Sequence, residues 1–158
     1  MKKLAILLIF VCANYSHAGV FESLVNPFIV GSTGRLSPGD HLVIRQGAIT
    51  HHGIYVGDGE VVDFTTRIDP KTGKQYDGVP RSPHGGRYEI RRVSIQKFKE
   101  AGSGGIKILR PTWCWDNNRK IIVKRALSQV GRRPSYLVVG RNCQDFADWC
   151  KRGRRQTF

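Results

Sequence analysis

The stretch His51-His52-Gly53-Ile54-Tyr55-Val56-Gly57-Asp58-Gly59-Glu60-Val61-Val62-Asp63-Phe64 narrows the fold of this chain more than any other. β-branched and aromatic residues flank Asp58-Gly59, a pair suited to the two φ > 0 positions of a type I′ turn. The stretch is therefore expected to form a β-hairpin, which brings a histidine at one strand's start near an aspartate at the other's end. An ideal ladder pairs Gly57 with Glu60, Val56 with Val61, Tyr55 with Val62 and Ile54 with Asp63. On that register His51 and Asp63 face opposite ways, whereas His52 has the parity to meet Asp63. A His51–Asp63 contact then requires a twist or a bulge near Gly53.

The hairpin has a distant partner in Arg141-Asn142-Cys143-Gln144-Asp145-Phe146. Asn142 is a good N-cap, and Gly153 marks the end of a helix running from about Cys143 to Lys151. Cys143, Phe146, Ala147 and Cys150 fall at i, i+3, i+4 and i+7, on one buried face. Cys143 then stands at a helix N-terminus, where the unpaired N–H groups and the helix dipole favour a thiolate. A cysteine, a histidine and an acidic orienter from separate segments are the parts of a thiol nucleophile site.

The first residues bear on the compartment. Lys2-Lys3, the apolar run Leu4 to Val11 and Ser16-His17-Ala18 have the layout of a secretory signal peptide, with cleavage expected after Ala18. The apolar run is too short to span a bilayer. The expected mature protein is secreted or periplasmic, with a charge of 14 − 2 = +12 after loss of two lysines. Of four cysteines, Cys114, Cys143 and Cys150 remain, an odd number for an oxidising compartment. Cys143 and Cys150 would lie about 10.5 Å apart along a helix, too far for a disulfide. A Cys114–Cys150 disulfide is the one pairing that leaves Cys143 free. Three free thiols are the alternative.

The rest of the 158 residues suits one α+β domain, an antiparallel sheet packed against helices. Residues 1–18 are the signal peptide, 19–36 an N-terminal extension, 37–153 the catalytic domain and 154–158 a basic tail. Further strands are expected at His41–Arg45, Tyr88–Val93 and Ile106–Arg110. Ser94 is placed to cap a short helical turn, and Gly102-Ser103-Gly104-Gly105 to act as a flexible connector. An amphipathic helix follows the Asp116-Asn117-Asn118 cap cluster and ends at Gly131, and Tyr136–Val139 is extended. Residues 67–87 lack apolar periodicity and read as a lid, a cleft wall or a surface loop.

Together, the hairpin and the cysteine segment resemble the lecithin–retinol acyltransferase-like family, which looks like a circularly permuted relative of the NlpC-type papain-like hydrolases. The family pattern has a His, two residues, Ile-Tyr-Val/Leu-Gly-Asp, then a second polar residue and Asn-Cys-Glu-His-Phe. The resemblance covers roughly residues 37–150. It implies a permuted papain-like fold with Cys143 as nucleophile, His51 as base and Asp63 as the residue that orients it. His52 stands where the family usually has an aromatic residue, and Gly131 and Tyr136 match the family spacing. Asn142, Gln144, Tyr136 and His52 are the expected oxyanion or substrate-cleft residues. Asp63 stands where lipid-acting members usually have His, and Gln144-Asp145 where they have Glu-His.

The implied reaction is acyl transfer through a thioester, on a phospholipid ester or on a cell-wall peptide amide. A non-catalytic binder of anionic envelope polymers is the reading from a different class. The excess of 26 Lys+Arg over 12 Asp+Glu suits peripheral contact with an anionic membrane. No metal or other cofactor is expected, because no spaced Cys-x-x-Cys or His-x-x-x-His accompanies these residues. Trp113, Trp115 and Trp149 read as core or lip aromatics, so no nucleic-acid partner is expected. His41 and His84 read as strand or surface residues. A monomer is expected.

Overall fold

Runs rich in β-branched residues, punctuated by Gly-containing turns, give this chain an antiparallel sheet. A computed structural model describes residues 29–30, 35–67, 71, 88–109, 118–137 and 140–153. Its strands are β1 (Ile29–Val30), β2 (His41–Gln46), β3 (Ile49–Gly57), β4 (Glu60–Thr66), β5 (Tyr88–Ser94) and β6 (Ser103–Leu109). Its helices are α1 (Ile95–Glu100), α2 (Arg119–Ser128) and α3 (Cys143–Arg152). The strands form one sheet in the order β1-β6-β2-β3-β4-β5, every neighbour antiparallel. β1 lies within residues 19–36, so part of the expected extension belongs to the sheet.

The sheet is covered on both faces. On one, Leu42, Ile44, Val61 and Ile108 pack with Phe98 of α1. On the other, Ile54, Val62, Phe64 and Ile90 pack with Ile122 and Ala126 of α2 and with Phe146, Ala147 and Cys150 of α3. Burying each such side chain is worth about 1.5–3 kcal/mol, so these two layers supply the main drive to fold. Ser94 caps α1 by accepting from the Lys97 N–H at 3.1 Å, as expected. Asn118 caps α2, and Gly131 beyond its end donates its N–H to Ile90 O at 2.8 Å, tying α2 to β5.

The register of the central hairpin differs from the ideal ladder. Asp58 and Gly59 both take positive φ, +51° and +76°, as a type I′ turn requires. Gly57 pairs with Glu60, but Tyr55 then pairs with Val61, Ile54 with Val62 and Gly53 with Asp63. The extra residue is Val56, beside a Gly57 at φ +107°. The required bulge therefore exists, next to the turn rather than at Gly53. Every pairing beyond it moves by one, which puts His51 and Asp63 on the same face.

The glycine-rich connector also proves to be strand. β6 starts at Ser103, and its pairing with β2 shifts between Val43 and Arg45, where Gly104 and Gly105 take φ of +80° and +78°. Glycine absorbs that irregularity without leaving the sheet. The 67–87 stretch, apart from Arg67 and Lys71, falls outside the described residues, as do the expected signal segment, Cys114, His84, Trp113, Trp115 and residues 154–158.

Candidate active site

Three elements converge on Cys143. It is the first residue of α3 and is 6% exposed. Asn142 caps the helix: its side chain accepts from the N–H groups of Gln144 at 2.9 Å and Asp145 at 3.0 Å. Asp145 closes the capping box by accepting from the Asn142 N–H at 3.0 Å. Phe146 N–H goes to Asn142 O at 3.0 Å. The cap thus leaves the Cys143 N–H as the first-turn donor it does not take. Asn142, expected in the oxyanion or substrate cleft, has its side-chain oxygen committed to the helix, and Gln144 gives its N–H to the same cap. Both residues serve the placement of Cys143.

The thiol meets β3 where the sheet opens. The β3–β4 pairing ends at Gly53–Asp63, while β4 continues beside β5 as far as Thr66–Tyr88. Cys143 Sγ lies in the split, 3.9 Å from Thr50 O and within hydrogen-bonding reach of the His52 N–H and the His51 ring. His51 Nε2 is 3.0 Å from Asp63 Oδ2, which leaves Nδ1 for the sulfur. Gly53, directly opposite Asp63, has no side chain to separate the two. The His51 ring rests on Phe98, centroid to centroid 5.2 Å. On the outer side Tyr136 Oη lies 3.8 Å from Sγ, its ring stacked on Tyr88 at 4.3 Å.

The electrostatics favour an ion pair. Burial works against charge on His51, but its hydrogen bonds to Asp63 and Cys143 outweigh that and push its pKa up to about 10. Burial likewise pushes the Cys143 thiol up, but hydrogen bonding to His51 and the charge of that ring bring it below its ordinary value. Thiolate and imidazolium therefore sustain each other. Burial, then the nearby Cys143, push Tyr136 up, so its phenol stays a proton donor. His52 is pushed down to about 3 by burial and then by the charge of His51, so it is neutral.

This arrangement answers which histidine meets Asp63: it is His51. His52 points to the other face of the sheet, where its Nδ1 is 2.9 Å from His41 Nε2. His41 is a strand residue, as expected, but fully buried. Cys150 is buried with a free thiol, and Cys114, its expected disulfide partner, lies outside the described residues. The helix turns Cys150 into the α2–sheet core, where apolar neighbours surround it. Arg91 was not legible beforehand. It pairs across the ladder with Asp63, its Nε 3.5 Å from Oδ1. Its strand register lies beyond the 67–87 stretch, and no local pattern in the sequence sets it.

A buried thiolate–imidazolium pair with an acid behind it can attack a carbonyl carbon and return a proton to the leaving group. Residues 34–156 match the model of the family described as lecithin retinol acyltransferase. The chain belongs to that family. No curated protein matches it. For the lecithin retinol acyltransferase family the broad class of activity is acyl transfer or acyl hydrolysis, which this chemistry suits. Among the described residues no group of three or more His, Cys, Asp or Glu is placed to hold a metal ion.

Proposed function

We propose that this protein is an exported, cysteine-dependent acyl hydrolase or acyltransferase whose donor is a phospholipid acyl ester. The observation that carries the reading is the buried Cys143–His51–Asp63 constellation at the start of α3. The Cys143 thiolate adds to the ester carbonyl, and the carbonyl electrons move onto oxygen. The Cys143 N–H and the Tyr136 hydroxyl are the donors available to that oxyanion. As the tetrahedral species collapses, the C–O bond breaks and the His51 imidazolium protonates the departing alcohol. A thioester remains on Cys143. Neutral His51 then takes a proton from water or another nucleophile as its oxygen or nitrogen adds to the thioester carbonyl. The C–S bond breaks, which releases the acid or the transferred acyl product and restores the Cys143 thiolate beside the His51 imidazolium. Asp63 orients the ring throughout and stabilises its cation. The charge of 14 − 2 = +12 expected of the exported form supports contact with anionic lipid surfaces.

A peptide amide in the cell wall is the second reading, favoured by Asp63 and Gln144-Asp145 standing where lipid-acting members usually carry His and Glu-His. The test is to incubate the protein separately with mixed anionic phospholipid vesicles and with peptidoglycan, then to identify products by mass. Free fatty acid or a lysophospholipid, lost in Cys143→Ala, is the expected result. Muropeptide cleavage would transfer the assignment to the amide. Products from neither, with retention on either, would make the protein a binder.

A further inference from the structure

A second polar chain runs behind the thiol, and the proposed reaction does not use it. Thr50 Oγ1 is 2.8 Å from His52 Nε2, and His52 Nδ1 is 2.9 Å from His41 Nε2. His41 Nδ1 in turn lies 3.9 Å from Asp148 Oδ1. Both rings are buried, at 4% and 0% exposure, within an otherwise apolar layer. A buried histidine pair is costly unless its nitrogens are satisfied, so its retention needs a reason. The chain's path supplies one. Asp148 is on α3, the helix that starts with Cys143. His41 is on β2. His52 and Thr50 are on β3, on either side of His51. The hydrogen-bonded part, Thr50–His52–His41, joins β3, which carries the imidazole, to β2, and it ends 3.9 Å from a carboxylate of α3, which carries the thiol, in an electrostatic contact rather than a hydrogen bond.

The hydrogen bonds have a defined direction. The Asp148 carboxylate favours the His41 tautomer with its proton on Nδ1. His41 Nε2 then accepts from His52 Nδ1–H, and His52 Nε2 accepts from the Thr50 hydroxyl. This pattern needs both rings neutral. Burial drives both towards that state, aided by the His51 cation next to His52 and by Lys151 and Arg152 near His41. The groups so oriented are also those that flank the sulfur, the Thr50 carbonyl and the His52 N–H. Apolar packing between α3 and the sheet is non-directional, but the Thr50–His52–His41 hydrogen bonds fix the part of β3 that faces the sulfur.

We propose that His41 and His52 are positioning residues that hold the β3 backbone from Thr50 to His52 in place beside Cys143 and so keep Cys143 and His51 at the separation their ion pair requires. This rests on the thiol–imidazole pair described above, and the test separates the two. Alkylation of Cys143 by iodoacetamide, followed by peptide mass spectrometry across pH, reports the thiol's ionisation without any substrate. His52→Phe fills the ring's volume without its nitrogens. It should raise the midpoint and slow alkylation at pH 6.5 by about tenfold or more. His41→Phe should do the same, and the double variant no more than the larger single, because either break interrupts one chain. His52→Gln, which keeps a donor and an acceptor, should recover part of the rate, and it decides the matter if His52→Phe fails to fold. Lost packing alone would lower Tm and leave the midpoint in place. An unmoved midpoint in a folded His52→Phe or, failing that, no recovery in His52→Gln would overturn the proposal, as would additive single effects. His51→Ala is the reference. If it too leaves the midpoint unmoved, the thiol–imidazole pair itself fails. If only His51→Ala moves it, the positioning chain alone fails.

Discussion

At His51 burial and pairing oppose each other, and pairing wins by enough to take the ring's pKa to about 10. Much of that gain comes from Asp63, which is 1% exposed and bonded to Nε2. Asp63→Asn should therefore lower the His51 pKa, followed by NMR of the ring, and reduce kcat/KM about 10²–10⁴-fold. Gly53 works by being small. A Cβ there would meet Val61 Cγ1 at 2.6 Å and Phe98 Cε2 at 2.9 Å. Gly53→Ala should cost about 1–3 kcal/mol in urea unfolding, and it should disturb the His51–Phe98 contact as well. The glycine could be read from the sequence. Its neighbour Phe98 comes from another element, and nothing local announces the contact.

At the level of elements, α3 was the most legible part of the chain. Asn142, the 143/146/147/150 face and Gly153 all act as expected; Gly153 takes φ +66° and donates to Trp149 O at 2.8 Å. Asn142→Ala should remove about 0.5–2 kcal/mol in denaturant unfolding, with Asn142→Asp close to wild type. It should also loosen the thiol's helix terminus, seen as slower alkylation. The hairpin was legible in its turn and not in its register. The bulge at Val56 and the Gly57 backbone set the facing of Asp63. Gly57→Val should cost about 1–3 kcal/mol, because a β-branched residue at φ +107° is strained. Any slip to the regular ladder would turn Asp63 away from His51, so activity should fall further than stability.

For the whole molecule, stability against pH combines groups that oppose one another. Unfolded, His51 loses its proton near 6.5, whereas folded it keeps the proton up to about 10, so its contribution is complete below about pH 6.5 and is lost as the pH rises towards 10. Folding lowers the Cys143 thiol below its unfolded value near 9, so its contribution is complete above about pH 9 and is lost as the pH falls. Lys151 acts in the same direction as Cys143. Burial lowers its pKa from 10.5 to about 7, so its contribution rises with pH across that interval. Lys151→Met should flatten the rise in urea-unfolding free energy between about pH 7 and 9. An unchanged rise would remove Lys151 from this account.

By itself the sequence determined the local parts: a turn that Asp-Gly chemistry suits, a capped helix opening on a cysteine, and a histidine and an aspartate on neighbouring strands. Each is set by residues within a few positions of one another, where backbone preference and side-chain spacing act directly. The tertiary structure alone decided which histidine meets Asp63, that Arg91 stands behind it, that Cys150 faces the core with a free thiol, and that His41 and His52 join. A one-residue bulge reverses the facing of every residue after it. The β3–β4 pairing stops at Gly53–Asp63 while β4 goes on beside β5 to Thr66–Tyr88, and the sulfur comes to the end of β3 from a helix about 90 residues further on. Such outcomes depend on packing between segments far apart in the chain, and a short stretch of sequence carries no record of its distant neighbours.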